Sequence, residues 1–438
     1  MTLINIAVRG STNHLTAADA AVLFDRATES DAALRSATAA IISRVRSGGD
    51  RALLEMSLEF DSVALSSLEV PREEWMRALD GLRPELRGAL ERAAQSLRAA
   101  HETDLPRPST FTTADGVVLG RRPDALRRVG VYAPGGRAAY PSSLLMGAIP
   151  ARVAGVSEVI VCSPPGADGR PPAVVLAAAA IAGVDHLFAT GGAGAIAAMA
   201  FGTASVPRVD RIVGPGNAYV AEAKIQVAGC VGIDSPAGPS ELLVLADDAA
   251  CPEKVAREML AQAEHDPVAA VVLVGSSEAW VDRVLVALAR RLADEPRAEV
   301  IRAALASRGG ALVAPSLDDA ITFANRWAGE HVLLALAAGT RDDVLAGLRN
   351  AGTVFLGDAP SVAFGDYMTG ANHVLPTGGL ARVYSGLSVI DFVRWTTWQR
   401  IDAPAAAAMA RDTAMFAGSE GLPAHARAAR HFIREEAS

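Results

Sequence analysis

Lysine is nearly absent from this 438-residue chain: of 41 basic residues only Lys224 and Lys254 are lysine. Ala223 and Glu253 precede them, so there is no Gly-Lys-Ser/Thr phosphate loop, and Schiff-base catalysis would have to use one of the two. Cysteine is also scarce. Cys162, Cys230 and Cys251 are odd in number and far apart, which excludes a disulfide framework and a C-x-x-C zinc site and fits a reducing compartment. No apolar run approaches the roughly 18 residues of a membrane span, and the opening MTLINIAVRG lacks a signal peptide's long apolar core, so a cytoplasmic protein is expected. A basic stripe is missing as well. With a net charge of −8, nucleic acid and anionic membrane are excluded as partners, whereas an anionic cofactor needs only a local site. No H-E-x-x-H, no G-x-S-x-G and no internal repeat of fixed period occurs.

What is present describes a globular chain. Half of it is hydrophobic and 21% is charged, and its length suits roughly two to four domains. Residues 1–28 are short, mixed and weakly patterned, like an arm. From Ser30 to about Ala100 the pattern is helical: Ser30 can cap a helix from Ala32 to Arg46 that stops at Gly48-Gly49, and Pro71 and Pro84 stand where first turns accept proline.

Then strands alternate with helices. Strands are expected at Val129–Ala133, Glu158–Cys162, His186–Ala189 and Arg211–Val213, with Pro134-Gly135-Gly136 and Gly214-Pro215-Gly216 as turns between them and the next helices. A second run has strands at Leu242–Ala246, Ala269–Val274, Ala311–Ala314, His331–Leu336 and Thr353–Leu356. Such alternation predicts α/β units with parallel sheets covered on both faces. The Gly-Pro-rich segment 235–240 separates the two runs, and a helical tail follows about Ser388.

Four constellations carry polar chemistry. Phe364 to Gly378 packs Asp366, Tyr367, Asn372 and His373 among Gly365 and Gly370 without any apolar period, so it reads as a loop turning close to a ligand or as a polar surface loop. Gln262 and His265 are three apart on one helix face and can share an ion, although His265 serves equally as a charge at a helix C-terminus. Glu330-His331 offers two proton-transfer groups at a helix-to-strand junction, or an ordinary surface pair. Glu420 and His425 lie in the tail, where packing is the usual role. Gly191 to Ile196 follows a strand and opens a helix, but it is not G-x-G-x-x-G and has no acid about 20 residues on, so it is weak evidence for a dinucleotide.

In order, the chain contains Arg-Val-Gly-Val-Tyr132-Ala-Pro-Gly-Gly, Val-Gly-Pro-Gly-Asn217-Ala, Ala-Gly-Pro-Ser240-Glu, Gln262-Ala-Glu-His265, Glu330-His331, Gly-Asp366-Tyr, Asn-His373-Val-Leu-Pro-Thr and Glu420…His425. This ordered set resembles the histidinol dehydrogenase family from about residue 30 to the tail. The resemblance implies two incomplete Rossmann-like parallel-sheet domains. The first comprises 29–131 and 241–387 and carries the metal and catalytic residues; the second, 132–240, is the NAD side. The tail, 388–438, would be swapped across a homodimer with shared active sites.

By the same resemblance Gln262, His265, Asp366 and His425 would hold one Zn2+ per subunit, with His425 and Glu420 reaching in from the partner subunit. Ser240, His331, His373 and Glu420 would contact L-histidinol along with the ligands. His331 would be the base for the alcohol oxidation and Glu330 would activate water on L-histidinal, giving L-histidine and reducing two NAD+, the last steps of histidine biosynthesis. Tyr132 and Asn217 match the family's NAD contacts.

Two positions depart from the family. Gly194 stands where glutamine is common, implying a lost NAD contact, and Ala328-Gly329 replaces Ala-Pro before Glu330, implying a looser turn. They leave room for a paralogue oxidising another alcohol, such as a sulfonated diol. A zinc hydrolase with Glu330 as base and a catalytically dead metal-binding assembly factor are the readings from other classes.

Overall fold

Strands that are apolar along most of their length settle into two parallel sheets with helices on both faces. The computed structural model describes residues 4–26, 32–135, 139–357 and 359–433; Ser30 and Gly136 lie outside them. The N-terminal segment forms β1 (Val8–Ser11) and α1 (Ala17–Phe24), opened by a capping box between Thr16 and Asp19. Next come α2 (Ala32–Asp61), α3 (Arg72–Asp80) and α4 (Pro84–Thr103). Pro71 and Pro84 stand at the starts of α3 and α4, as expected. The expected stop at Gly48-Gly49 is a kink instead: Gly49 takes φ 55°, and helix resumes because Leu53 and Met56 beyond it are buried.

After β2 (Ser109–Thr112) and β3 (Val118–Ala125), the first alternation begins. It runs β4 (Arg128–Tyr132), α5 (Pro141–Val153), β5 (Glu158–Ser163), α6 (Ala173–Ala182), β6 (His186–Ala189), α7 (Gly192–Phe201), β7 (Arg211–Val213), α8 (Ala218–Val227) and β8 (Gly232–Ile233). The second runs β9 (Glu241–Ala246), α9 (Pro252–Ala263), β10 (Ala270–Gly275), α10 (Glu278–Leu292), α11 (Ala298–Arg308) and β11 (Gly310–Val313). It continues with α12 (Leu317–Trp327), β12 (His331–Ala335), α13 (Ala338–Gly347), β13 (Thr353–Leu356) and α14 (Val362–Tyr367). The chain closes with β14 (Val393–Arg400), α15 (Ala403–Ser419) and α16 (Pro423–Arg430), so a strand precedes the helices of the tail.

The five-stranded sheet has the order β6-β5-β4-β7-β8 and the six-stranded sheet β1-β11-β10-β9-β12-β13, both parallel throughout. In each, the first strand of the alternation is internal and later strands add on either side. The order therefore reverses between β4 and β7, and between β9 and β12. The arm expected at 1–28 contributes β1 as an edge strand on β11, a pairing too short to show a period. β14, β3 and β2 make a separate antiparallel sheet.

Residues 29–131 were expected with 241–387, but their helices pack on the five-stranded sheet. Trp75, Leu90 and Leu97 share a core with Val129, Val131 and Val161, while Leu53 and Met56 meet Ile160 and Ile196. Each such large side chain, fully buried, contributes about 1.5–3 kcal/mol, so the helices follow the sheet that covers their apolar faces. Among the described residues no helix is long and apolar enough to cross a membrane.

Candidate active site

The amino edge of the six-stranded sheet gathers the polar residues. Ser240 immediately precedes β9, Glu330 precedes β12 and His331 opens it, and these two strands are neighbours at the reversal of order. Helix α9 leads to the same edge. Its Glu258 Oε2 accepts from Val362 N–H at 2.9 Å and from the Ser361 hydroxyl at 3.1 Å, which docks α9 against α14. Gln262 stands one turn further along that face, 3% exposed, and His265 lies just past the helix end. α14 carries Asp366, whose Oδ1 is 3.5 Å from His331 Nε2.

His331 is buried and framed by acceptors. Its Nδ1 lies 3.1 Å from the Glu241 carbonyl oxygen and 3.3 Å from Glu330 Oε2. Burial is the largest single influence on the ring and works to lower its pKa, but Glu330 and Asp366 together outweigh it and push it up to about 10. The same charges act on Asp366. Burial favours its neutral form, yet His331, His373 and His265 hold the carboxyl below its usual range. His373 Nδ1 donates to the Asp366 carbonyl at 3.0 Å and its Nε2 is 3.3 Å from Ser143 Oγ on α5; burial lowers its pKa.

The segment 364–378 ties the two sheets together. Its first residues, expected as irregular backbone, belong to α14, because Val362 and Gly365 are buried and the helix is short enough to hide its period. Gly370 then takes φ 90° where a Cβ would stand 2.6 Å from the Ser96 carbonyl oxygen of α4, so only glycine fits. Asn372 Nδ2 donates to the Met146 carbonyl of α5 at 2.8 Å, and Gly378 N–H to Glu241 Oε1 at 2.8 Å. The amino edge of one sheet thereby meets the start of α5, which follows the carboxyl end of β4.

A buried network that the sequence did not reveal orients Glu330. Glu330 Oε2 accepts from Glu241 N–H at 2.7 Å, and Glu241 Oε2 accepts from Glu330 N–H at 3.3 Å. Glu241 pairs with Arg26 at 2.5 Å; the Arg26 guanidinium stacks 3.8 Å from the Trp327 ring and donates to the Trp327 carbonyl. Glu241 had a signal, since it stands in the Ser240-Glu motif, whereas Arg26 sits in unpatterned sequence. The network corrects the expectation of a loose turn. Ala328 is left-handed with φ 50°, and a Cβ on Gly329 would stand 2.0 Å from the Trp327 ring, so the ring occupies that space. Gly329→Ala is expected to destabilise the fold by about 1–3 kcal/mol through this overpacking, read as a lower urea midpoint. An unchanged midpoint would mean that the indole yields freely.

The carboxyl edge of the five-stranded sheet forms the second part. Tyr132, 3% exposed at the end of β4, accepts from Gly192 N–H at 3.1 Å through its hydroxyl, and burial pushes the phenol up to about 12. Asn217 follows β7 and caps α8, its Oδ1 accepting from Val220 N–H at 3.1 Å. Open parallel sheets bind ligands outside the carboxyl ends where strand order reverses, which is here, between β4 and β7. Gly194 does not face that crevice. A Cβ there would meet Leu53 Cδ2 and Met56 Sδ of α2, each at 3.3 Å, so a side chain would begin inside helix packing.

The structure thus brings together Glu330, His331, Asp366 and His373, with Ser240 at the same edge and Gln262 and His265 on the docked helix. It does not bring in Glu420 or His425. Both are exposed on α15–α16, and among the described residues neither forms a hydrogen bond or ion pair with that cluster. Among the described residues no three His, Cys, Asp or Glu side chains close on a metal within one chain. Gln262 is nevertheless buried with its amide on the docked face of α9, and among the described residues buried His331 Nε2 has no hydrogen-bond partner, so the chemistry of this edge fits a cation. α15 exposes Phe416 at 70%, and Phe432, two residues beyond α16, is 52% exposed.

A family model described as histidinol dehydrogenase matches residues 24–432. A histidinol dehydrogenase of Halobacterium salinarum is 49% identical over 405 residues, 92% of this chain and 94% of that protein. One from Methanosarcina mazei is 46% identical over 388 residues, covering 88% and 89%. The crystal structure of histidinol dehydrogenase from Elizabethkingia anophelis superimposes with a TM-score of 0.93 at 32% identity, covering 99% of each chain.

Proposed function

The chain belongs to the histidinol dehydrogenase family and is an oxidoreductase, and from that premise we propose that it oxidises L-histidinol through L-histidinal to L-histidine with two NAD+. The observation that carries this reading is the buried Glu330–His331 pair at the amino edge of β9 and β12, with Asp366 3.5 Å from His331 Nε2. Two successive oxidations of one bound substrate need two proton acceptors, and this edge supplies two of different chemistry.

Gln262, His265 and Asp366 would hold a zinc ion, one per subunit, with His425 completing the set from a second copy. Zinc supplies a site that orients the substrate's imidazole and amine. Tyr132 and Asn217 would hold NAD+, which when bound would supply the hydride acceptor. His331 takes the hydroxyl proton as the carbinol hydrogen departs. Glu330, fixed by its bond from Glu241 N–H, then takes a proton from the water that adds to the aldehyde. His331 must be neutral to act as a base. Glu330 first and Asp366 second favour its charged form here, so drawing the Asp366 carboxylate away would weaken that preference while the Glu330 contribution stays. Ser240, His373 and the partner subunit's Glu420 would hold the substrate's polar groups.

The proposed assembly is a homodimer in the cytoplasm, working in histidine biosynthesis, with the tail 388–438 crossing to the partner. The exposure of the large apolar side chains Met415 and Phe416 on α15 supports this. The test is a steady-state assay: about two NADH should form per L-histidinol consumed. No NADH from histidinol would overturn the reading. Faster oxidation of a sulfonated diol would reassign the substrate.

A further inference from the structure

Lys224 is one of only two lysines in the chain, and unlike exposed Lys254 it is buried, at 1% exposure. Its Nζ donates to the Gly214 carbonyl at 3.1 Å and pairs with the Asp234 carboxylate. Asp234 Oδ2 in turn accepts from Gly214 N–H at 2.7 Å. One buried ion pair therefore holds both polar groups of a single backbone residue. That residue begins the turn to Asn217, with φ 113°, and a Cβ on it would stand 2.2 Å from the Tyr132 carbonyl oxygen. Lys224 lies on α8 and Asp234 directly follows β8, so the pair joins this helix to the ends of β7 and β8 at the crevice.

Such a pair is poorly explained as a source of stability, because both charges lose their hydration and an apolar pair of similar volume serves about as well. It is well explained as a device for placement. The chain fills nearly every other basic position with arginine, but here a compact ammonium, 1% exposed, serves the Gly214 carbonyl and the Asp234 carboxylate together, which a planar guanidinium fork does not reproduce in the same geometry. We infer that Lys224 is a positioning residue for the dinucleotide: with Asp234 it fixes the turn 214–217, and hence Asn217, beside Tyr132. This rests on the nicotinamide reading above.

The test uses the full chain as purified, with Lys224→Met, Lys224→Arg and the double variant Lys224→Met/Asp234→Leu. NADH binding is followed by fluorescence titration, alongside KM for NAD+ and for histidinol and the melting temperature. All three variants should weaken NADH binding about tenfold or more, the size expected when a buried charged hydrogen bond is lost. KM for histidinol should stay within about twofold, and the double variant, which leaves no unpaired charge, should remain folded. A folded variant that binds NADH like the unmodified protein overturns the inference. So does an equal loss for NADH and histidinol, which would indicate general damage. If the unmodified protein itself fails to bind NADH, the nicotinamide reading falls instead.

Discussion

Replacing His331 by Asn is expected to lower kcat for histidinol oxidation about 10²- to 10⁴-fold, the usual worth of a positioned proton acceptor. The fold should survive, since Asn retains a donor for the Glu241 carbonyl that now lies 3.1 Å from His331 Nδ1. Glu330→Gln should behave differently. Its amide oxygen can still accept from Glu241 N–H, so the turn stays in place, but the side chain no longer takes a proton from water. The first oxidation should then continue while the second stalls. One NADH rather than two would form per substrate, and the aldehyde could be trapped with semicarbazide. A Glu330→Gln enzyme that still makes two NADH would remove Glu330 from the second step. A His331→Asn enzyme of near-normal rate would leave the edge of β12 without a base.

The second large effect concerns the tail. Asp366→Asn and His425→Asn should each be nearly inactive alone if both residues bind the metal. Mixed and allowed to exchange subunits, they should recover about a quarter of normal activity: half of randomly assorted dimers are mixed, and one of the two sites in each is intact. The structure motivates this directly, because Asp366 sits in the buried cluster while His425 is exposed on α16 without a bond to it. No recovery after exchange, with mixed dimers verified by mass spectrometry, would place each site within one chain.

Much of the framework is legible in the sequence because it follows from local rules. His186–Ala189, Arg211–Val213 and Thr353–Leu356 form the strands that composition and alternation predict. Local rules failed where packing overrode them. Gly48-Gly49 breaks a helix in isolation, yet α2 continues because Leu53 and Met56 have a sheet to cover. The segment at β14 carries no clean alternation, since much of it is exposed, and its strand exists only because β3 is there to pair with it.

By itself the sequence determined an α/β chain of parallel sheets and, through the order of its motifs, the family; the residues of its site it only nominated. Each of those signals is carried by neighbours in the chain. Only the tertiary structure decided that Glu330 and His331 stand at the amino edge of their sheet, that Arg26 reaches Glu241 behind them, and that Trp327 fills the space above Gly329. The Arg26–Glu241 pair joins residues far apart in sequence, and burial, which makes it strong, leaves no periodic trace in the order of residues. The same holds for the stretch from Phe364 to Gly378. Its mixed polarity reads as a loop until Ser143, Met146, Ser96 and Glu241 are seen around it, and these partners make it the link between two sheets.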